Sequence, residues 1–384
     1  MSKAKITSRC ESRIAAGHPW IFKSDLQEQP RAGAGDVVDV VSNKGKFIGR
    51  GFYNPHSQIA IRLITRVEEP VDGGFIASRI KAAAQYRKLF SDMGACRLVH
   101  AESDFLPGLV ADRYDDVAVI QITSRGMETY KNVIADALME ISNVNRVYER
   151  NDAPIRKLEG LPLMTGALRG RVDAPVSILE NEITLEINVV NGQKTGHFLD
   201  QRENRAAIRP LCAGVRVLDC FSHTGAFALN ALAGGASGVT AVEISGDACG
   251  VIKRNASLND AALEVVCANV FDYLRVSEDT WDLIILDPPA FTKNRASIPG
   301  ATRGYKEINL SAMRRLRPGG FLITCSCSHH ISQELFLSTI KEAALDAGKT
   351  LRLIEARTQG RDHPILLGDP QSQYLKCLIL QVIS

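Results

Sequence analysis

The spacing of apolar and polar positions predicts two kinds of strand, one in the first part of the chain and one in the second. Residues 35–54 hold two runs in which apolar and polar positions alternate, joined by the turn Ser42-Asn43-Lys44-Gly45, and residues 57–66 hold a third. Such alternation is typical of half-buried strands joined by tight turns. After residue 214 the apolar runs are unbroken, as in VRVL, GVTAVE and WDLIIL, and helical patterns lie between them. These runs predict an α/β domain in the second half of the chain.

The patterns predict three domains. A β-rich domain with a short helical entry covers residues 1–70, followed by a linker rich in Gly, Pro and acidic residues. A central α+β domain covers 74–175, and the α/β domain covers 176–384, beginning with a β-hairpin over 177–190. In the central domain we expect a helix over 75–93 ended by Gly94, three strands around the turn Leu106-Pro107-Gly108, a helix over 127–141 and a strand over 146–150.

The stretch from Val215 to Phe227 predicts the strand, turn and helix that open the α/β sheet. Asp219 ends the strand, and residues 222–225 form the turn before an Ala- and Leu-rich helix. Ligands of such sheets bind at the carboxyl ends of the strands, where helix N–H groups face them. A dinucleotide site would need the spacing G-x-G-x-x-G, and only Gly225 is available, so a pyrophosphate ligand is not expected.

Polar side chains also follow the next three strands. Glu243 ends the second run, at the distance where an acidic residue usually meets ribose hydroxyls. Asn269 follows a third strand over 264–268, and Asp287 follows WDLIIL. With Asp219, these ends face one crevice. Here the chain resembles the class I S-adenosylmethionine-dependent methyltransferases, which implies that the four positions hold the methionine part, the ribose, the adenine and the target base.

Composition fits a globular protein of two or three domains. A length of 384 residues with 45% hydrophobic residues allows each domain to bury a core. No run of about 18 apolar residues occurs, and residues 1–13 lack the apolar region of a signal peptide, so we expect a cytoplasmic protein that does not bind membranes. The nine cysteines are scattered without a CxxC pair, which favours reduced thiols over disulfides or a zinc ribbon.

Positive charge is concentrated at the front of the chain. The net charge is only +3, but residues 1–66 hold eleven Lys and Arg against five Asp and Glu. Aromatic residues interleave with them and suit base stacking, or else fill the interior of the domain; they are Trp20, Phe22, Phe52 and Tyr53. The order of GHPWIF, GDVVDVV, KGKFIGRGFYNP and IAIRLI resembles the PUA domain, which implies a small β-barrel that binds structured RNA.

The ends of the fourth and fifth strands decide the chemistry. Methyltransferases for exocyclic amines often carry (D/N)-P-P-(Y/F), but in the run DPPAF, residues 287–291, the aromatic comes one residue late. The fifth strand, FLITCSCSHH, contains Cys327 near its carboxyl end. Carbon-5 of cytosine is too poor a nucleophile to take a sulfonium methyl directly, so a thiolate must first add at carbon-6. Cys327 is placed for this addition, with Asp287 at N3 of a base turned out of its stack.

Other interpretations of CSCSHH remain open. Cys325, Cys327 and His329 share one face of a strand and could bind a metal, although three ligands on one strand cannot by themselves enclose a tetrahedral ion. Cys325 lies further inside the strand, where a small buried side chain is expected. No residue stands out as the base that removes the carbon-5 proton, so His329 and water are both candidates.

The chain resembles the PUA-domain-containing rRNA cytosine-5 methyltransferases of bacteria over nearly its whole length, in the order of KTGHFLDQRENR, VLDCFSHTGAF, VEIS, DPPAF, TRGYKEINLSAMRRLRPGGFLITCSCS and DHPILLGDPQSQYLKCLIL. The resemblance implies S-adenosylmethionine as methyl donor, no metal, an RNA-binding PUA domain and a central β-rich domain. It also implies a Rossmann-like sheet of seven mostly parallel strands, whose last strand, YLKCLILQVI, is antiparallel.

The same resemblance implies a set of site residues. Cofactor contacts are expected from Phe198, Asp200, Gln201, Arg202, Asp219, Phe221, Ser222, Thr224, Gly225, Glu243, Ile244, Asn269 and Asp287, and base contacts from Pro288, Pro289 and Phe291. The segment around Asp200 would then pack over the methionine end of the cofactor. An ordinary helix capped by Asp200 is the alternative for this segment.

The sequence departs from the family pattern at Asn269, where an aspartate commonly accepts a hydrogen bond from the adenine amino group. An asparagine oxygen still accepts that bond, but without charge, which leads to the hypothesis of weaker cofactor binding. A gain in donor affinity for Asn269→Asp would support this hypothesis, and no gain would count against it.

We therefore expect an RNA cytosine-5 methyltransferase that acts on rRNA through Cys327 and Asp287. One alternative is a methyltransferase for an exocyclic amine of guanine or adenine, with Asp287 and Phe291 at the base. Another is an RNA-binding or ribosome-assembly protein that has lost turnover. The sequence does not decide which nucleotide is modified, whether the substrate is naked rRNA or a ribosomal particle, or whether the protein is a homodimer.

Overall fold

The computed structural model describes residues 1–90, 94–292 and 294–384. These residues form two compact units. The first consists of Met1–Ile178, Ile187–Leu199 and Arg361–Ser372, and the second of Leu179–Glu186, Asp200–Gly360 and Gln373–Ser384. The division into domains at 1–70, 74–175 and 176–384 remains a prediction.

The N-terminal part of the first unit is a six-stranded sheet with one helix. Its elements are β1 (Lys3–Ile6), α1 (Ser8–Ala15), β2 (Trp20–Phe22), β3 (Leu26–Glu28), β4 (Val37–Val41), β5 (Phe47–Tyr53) and β6 (Ile59–Thr65). The strand order is β2-β6-β5-β4-β1-β3. The pairs are antiparallel except for β1 with β4. The predicted turn is confirmed, because the Ser42 N–H donates to the Lys46 carbonyl at 2.8 Å.

A five-stranded sheet follows in the same unit. Its elements are α2 (Gly73–Arg87), β7 (Ala95–His100), β8 (Leu109–Tyr114), β9 (Val117–Ile122), α3 (Arg125–Glu128), α4 (Lys131–Met139), β10 (Arg146–Asn151) and β11 (Met164–Arg169). The strand order is β11-β10-β9-β8-β7. The three strands around Leu106-Pro107-Gly108 are therefore confirmed, and β11 was not predicted.

Both helices predicted for this region differ from the structure. The first ends at Arg87, whose buried guanidinium donates to the carbonyls of Arg97 and Asp362. Residues 88–90 of its predicted span form a turn, and 91–93 lie outside the described residues. The second is two helices, because Tyr130 leaves helical geometry and its hydroxyl donates to the Val71 carbonyl at 3.0 Å. In both places, distant parts of the chain determine where the helix ends.

The predicted hairpin is confirmed as β12 (Val176–Glu180) and β13 (Ile183–Ile187). Its two turn residues, Asn181 and Glu182, have φ angles of 51° and 65°. Two consecutive left-handed residues produce the type of turn whose twist matches that of antiparallel strands.

The second unit is a seven-stranded α/β sheet. Its elements are α5 (Arg202–Ala207), β14 (Arg216–Cys220), α6 (Ala226–Ala233), β15 (Gly238–Glu243), α7 (Gly246–Leu258), β16 (Glu264–Cys267), α8 (Val270–Val276), β17 (Trp281–Leu286), α9 (Ile298–Arg315), β18 (Leu316–Ser326), α10 (Gln333–Ala347), β19 (Leu351–Arg357) and β20 (Lys376–Val382). The order is β16-β15-β14-β17-β18-β20-β19. Strand β20 runs antiparallel to both of its neighbours, as expected.

Apolar side chains cover both faces of this sheet. On one face Trp281 and Ile284 pack with α8, α9 and α10, and on the other Leu283 and Ile285 pack with α6 and α7. Successive side chains of a strand point to opposite faces of the sheet. Because both faces are covered here, nearly every position of WDLIIL is apolar. The predicted fold class, a Rossmann-like sheet of seven mostly parallel strands preceded by a small β-rich part and a central α+β part, is confirmed.

Within the described parts of the chain, no helix combines the length and apolar character needed to cross a membrane.

Candidate active site

The turn between β14 and α6 has an unusual backbone. Phe221, His223 and Gly225 have φ angles of 60°, 53° and 82°, in the left-handed region that favours glycine. A non-glycine residue in this region costs on the order of 1 kcal/mol or more and persists only where the surroundings enforce it. Two such residues in one turn at the carboxyl end of the central strand are typical of a ligand site.

Asp219 lies at the start of this turn with only 1% of its surface exposed. Its Oδ2 accepts bonds from the Ser222 hydroxyl at 2.5 Å and from the Ala228 N–H at 3.1 Å. Its Oδ1 is buried and has no hydrogen-bond partner among the described residues. Burial raises the pKa of the carboxyl group to about 7, although the bond from Ser222 opposes the shift.

The acidic residue that ends β15 is held by backbone groups. The carboxylate of Glu243 accepts the N–H of His223 at 3.0 Å and the N–H of Ser245 at 2.9 Å. These bonds connect the ends of β14 and β15 and fix the direction of the side chain. Nearby, the Thr224 carbonyl accepts from the Asn255 amide at 2.9 Å, and Ile244 is 64% exposed.

Asn269 has a structural partner that the sequence did not predict. It is the N-cap of α8, and its Oδ1 accepts the Phe271 N–H at 2.9 Å. A side-chain oxygen has two lone pairs, so a cap can accept one further bond. The side chain is exposed at the carboxyl end of the sheet, and its expected contact with adenine remains a prediction.

Asp287 follows β17, next to β14 in the sheet. Its Oδ1 accepts a bond from the Gln201 amide at 3.0 Å, and its N–H donates to the Cys220 carbonyl at 3.4 Å. The charge of Asp287 contributes to the raised pKa of Asp219, after the larger effect of burial. The structure therefore brings these two carboxyl groups together, as expected for two neighbouring strand ends.

The proline pair after Asp287 is divided between core and surface. Pro288 is buried, whereas Pro289 is exposed. The ring of Phe291 lies 4.6 Å from that of Tyr305 and 6.0 Å from that of Phe271. Phe291 thus packs against two aromatic rings, which limits the surface that it can offer to a base.

The segment before α5 contacts the sheet through side chains. The Asp200 carboxylate accepts the Tyr374 hydroxyl at 2.7 Å, and its carbonyl accepts the Gly360 N–H at 2.9 Å. The interpretation of Asp200 as a helix cap is wrong, because Gln201 is the N-cap residue of α5. The backbone carbonyl of Arg202 accepts a hydrogen bond from the side-chain amide of Asn181. Phe198 belongs to the first unit, where the Lys194 ammonium lies 4.5 Å from its ring centre.

Cys327 directly follows β18 and is half-buried. Of the nine cysteines, seven are buried and Cys267 is exposed. Cys325 is fully buried, and its hydrogen bond with Cys377, together with burial, raises the pKa of its thiol well above the ordinary range. Cys327 is therefore the less buried of the two cysteines of CSCSHH.

Two side chains hold the serines on either side of Cys327. The Ser326 hydroxyl donates to the Tyr305 hydroxyl at 3.0 Å, and that hydroxyl lies 3.0 Å from the Ser328 hydroxyl. The ammonium of Lys376 donates to the Ser328 carbonyl at 2.8 Å. The backbone that carries the thiol is therefore fixed from both α9 and β20.

Sequence reasoning missed both Tyr305 and Lys376. Tyr305 is one of several apolar positions on α9, and nothing in the sequence marks its hydroxyl. Lys376 carried a weak signal, because it is a charged residue at the start of the apolar run KCLILQV. A charged residue at the edge of a buried strand usually has a specific partner.

The metal interpretation of Cys325, Cys327 and His329 gains no support. Across residues 1–90, 94–292 and 294–384, no group of three or more His, Cys, Asp or Glu side chains has the arrangement of a metal site. The ring of His329 instead packs 5.3 Å from that of Tyr374.

The end of β14 fits the amino-acid end of S-adenosylmethionine. Asp219 supplies a buried acceptor atom that has no donor from the described residues. A buried acceptor without a partner is uncommon and is readily completed by a donor group of a ligand. Glu243 adds a fixed carboxylate one strand away.

Comparison with known proteins agrees with this geometry. Residues 4–66 match the model of the PUA-like domain, and residues 148–379 match that of the S-adenosylmethionine-dependent methyltransferases. A solved Streptococcus mutans chain, proposed to be a SAM-dependent methyltransferase, has a TM-score of 0.85 over the full length of both chains at 22% identity, a likeness that shows the fold.

Two relatives cover almost the whole chain, and both are named ribosomal RNA large subunit methyltransferase I. The protein of Alteromonas mediterranea is 40% identical over 95% of each chain. That of Pseudoalteromonas translucida is 42% identical, also over 95% of each chain. The chain therefore belongs to the S-adenosylmethionine-dependent methyltransferases, in the family of the ribosomal RNA large subunit methyltransferase I proteins, and S-adenosylmethionine is its cofactor.

Proposed function

We propose that this enzyme methylates carbon-5 of a cytosine in large-subunit rRNA through a covalent adduct with Cys327. The observation that supports this most directly is the half-buried Cys327, which directly follows β18, next to β17, the strand that Asp287 follows. The family names indicate large-subunit rRNA as the substrate.

The role of Cys327 follows from the reactivity of cytosine. The Cys327 thiolate adds to carbon-6 of the base and forms a carbon–sulfur bond, so that carbon-5 becomes an enamine-like nucleophile. When bound, S-adenosylmethionine supplies the electrophilic methyl group. Transfer of the carbon-5 proton to a base, for which His329 and water are the candidates, and return of the N3 proton to Asp287 then expel the thiolate and restore the aromatic ring. The complete cycle returns Cys327 to its thiolate form, so the residue is a true catalyst.

Asp287 is proposed to assist the addition. As the thiolate adds, negative charge develops toward N3 of the base, and a carboxyl group at N3 stabilises the adduct by donating a proton. The bond from Gln201 to Oδ1 fixes the orientation of this carboxyl group. The base must be turned out of its stack to reach both residues.

Binding of the RNA is assigned to the PUA-like domain. The turn between its strands β4 and β5 carries the exposed basic side chains of Lys44 and Lys46. Such groups neutralise phosphates without reading the sequence, so they would hold the rRNA while the second unit selects the base.

The test identifies the methylated nucleoside. Ribosomal RNA from cells that lack the protein is incubated with purified enzyme and methyl-labelled S-adenosylmethionine, and the RNA is digested to nucleosides. We expect label in 5-methylcytidine, lost in Cys327→Ala and retained in the control Cys267→Ala, which removes the exposed cysteine. Label in a methylated purine that survives Cys327→Ala would contradict the proposal and support methylation of an exocyclic amine.

A further inference from the structure

Lys376 is a buried charge at the start of a central strand. It has 4% of its surface exposed, and its Cα pairs with that of Ser326 across β18 and β20. Removing an ammonium group from water is unfavourable unless hydrogen bonds and an opposite charge compensate for it. The surroundings of Lys376 therefore have to explain why a cation is kept there.

Carbonyl groups provide only part of the compensation. The Lys376 ammonium donates to the Ser328 carbonyl at 2.8 Å and to the Tyr374 carbonyl at 2.7 Å. An ammonium has three N–H donors, so one remains after these two bonds. Both acceptors are neutral and leave the positive charge unbalanced.

The position of the ammonium suggests its partner. Ser326 faces Lys376 in the sheet, Ser328 accepts its hydrogen bond, and Cys327 lies between these two serines. The cation is thus fixed beside the three-residue segment that carries the Cys327 thiol.

We infer that Lys376 is a positioning residue whose ammonium stabilises the thiolate form of Cys327, as nucleophilic addition to a base requires. This inference rests on the proposed function, because the proposed reaction is what requires a thiolate at Cys327. Neighbouring cations are a general means of keeping a reactive cysteine ionised near neutral pH.

The electrostatics of Lys376 agree with this assignment. Burial lowers the pKa of its ammonium to about 8, and the charge of Cys327 opposes this decrease. Coulomb interactions are reciprocal, so a thiolate that favours the ammonium is favoured by it to the same extent. At neutral pH most of the lysine is still protonated.

Other groups also face this segment. Asp287, which follows β17, disfavours the thiolate whenever its carboxyl group is ionised, whereas the hydroxyl of Tyr305 from α9 bonds to the flanking serines. His329 packs against Tyr374 after β18 and is a second group that can become cationic in acid. Substitution of Lys376 separates its contribution from theirs.

The experiment measures alkylation of Cys327 as a function of pH. Full-length protein is treated with iodoacetamide between pH 5.5 and 10, and modification of the Cys327 peptide is followed by mass spectrometry. Wild type should react with a midpoint below about 8.5, the value of an ordinary thiol. In Lys376→Met the midpoint should rise by about one pH unit, since a cation at close range shifts an acid by one to three. Alkylation at pH 7 should then slow by up to about tenfold.

Matched controls separate charge from structure. Lys376→Arg keeps the cation and should retain the low midpoint, and the exposed Cys267 should react identically in all three proteins. An unchanged Cys327 profile in Lys376→Met would overturn the inference. If that variant does not fold, a wild-type midpoint at or above about 8.5 would overturn it alone.

The outcome is independent of the proposed function. A midpoint that depends on Lys376 in a protein that forms no 5-methylcytidine would support the inference and contradict the proposed reaction. Formation of 5-methylcytidine by an enzyme whose Cys327 midpoint does not depend on Lys376 would support the proposed reaction and contradict the inference.

Discussion

Asp219 illustrates how one buried residue links stability to a candidate ligand site. Burial raises the pKa of its carboxyl group from 3.8 to about 7, so between these values the folded chain holds a proton that the unfolded chain has lost. The folded state therefore binds more protons in this window, and this contribution to stability decreases as pH rises through it.

We expect the free energy of unfolding of the ligand-free protein to respond to Asp219→Asn in this window. As pH rises from 4 to 7, the free energy of unfolding of wild type should fall relative to that of the variant. For a pKa change of this size, the relative decrease should be on the order of 4 kcal/mol. Urea denaturation at several pH values measures it. Asp260→Asn, at an exposed carboxylate, is the control, and parallel pH profiles for wild type and Asp219→Asn would contradict the prediction.

The positions of several site residues could be predicted from the sequence, and their partners could not. Asp219, Glu243 and Asp287 lie at strand ends because a buried strand has to end where the polar residues begin. The contacts of Lys376 with Ser328 depend on the antiparallel register of β20, which joins residues 48 positions apart. No local pattern encodes such a pairing.

At the scale of elements, the turn from β14 to α6 depends on one glycine. Gly225 has a φ of 82°, and an added Cβ would lie 3.0 Å from Ile252 Cγ2. Gly225→Ala should therefore cost about 1–3 kcal/mol of stability and weaken binding of S-adenosylhomocysteine, since the same turn positions Asp219.

Thermal unfolding and calorimetric titration test both effects. Gly246→Ala, in α7, is the matched control, because its added Cβ meets nothing within 4 Å and its φ is not in the left-handed region. Equal stability of the two variants would show that the turn tolerates a side chain.

The hydroxyl of Tyr305, on α9, contacts the hydroxyls of Ser326 and Ser328 at the end of β18, and this contact leads to a second prediction. Tyr305→Phe removes the hydroxyl that bonds to Ser326 and Ser328, which should destabilise the protein by about 1–2 kcal/mol. Methyl transfer should slow more than cofactor affinity falls, because the segment carrying Cys327 is loosened. Tyr273→Phe, in α8, is the control, and turnover as fast as in wild type would refute a positioning role for Tyr305.

Element types were predicted better than element ends. The hairpins and the sheet strands follow from local turns and apolar runs, as at Ser42-Asn43-Lys44-Gly45. The break at Tyr130 depends on a hydrogen bond to Val71, 59 residues away, and the end of α2 depends on the buried Arg87. Tertiary contacts of this kind override helical periodicity.

At the scale of the whole molecule, the basic excess and the proposed chemistry belong to different units. The first 66 residues carry the basic excess, whereas Cys327 and Asp287 lie in the second unit. We expect Lys44→Ala with Lys46→Ala to weaken rRNA binding and to reduce the salt dependence of the binding constant by a slope of roughly one to two.

Filter binding at several salt concentrations measures this slope. The control is Lys341→Ala with Lys349→Ala, which removes the same charge from the second unit near α10. Equal losses in the two double variants would indicate a general charge effect and contradict RNA binding by the PUA-like domain.

The most direct test of the central claim is to trap the covalent adduct. Ribosomal RNA in which cytidine is replaced by 5-fluorocytidine has no carbon-5 proton to lose, so an adduct formed with the enzyme and S-adenosylmethionine cannot be released. We predict a denaturation-resistant complex with wild type, absent in Cys327→Ala, in which the Cys327 peptide carries the nucleotide. Trapping through another residue, or methylation of unmodified rRNA by Cys327→Ala, would contradict nucleophilic catalysis by Cys327.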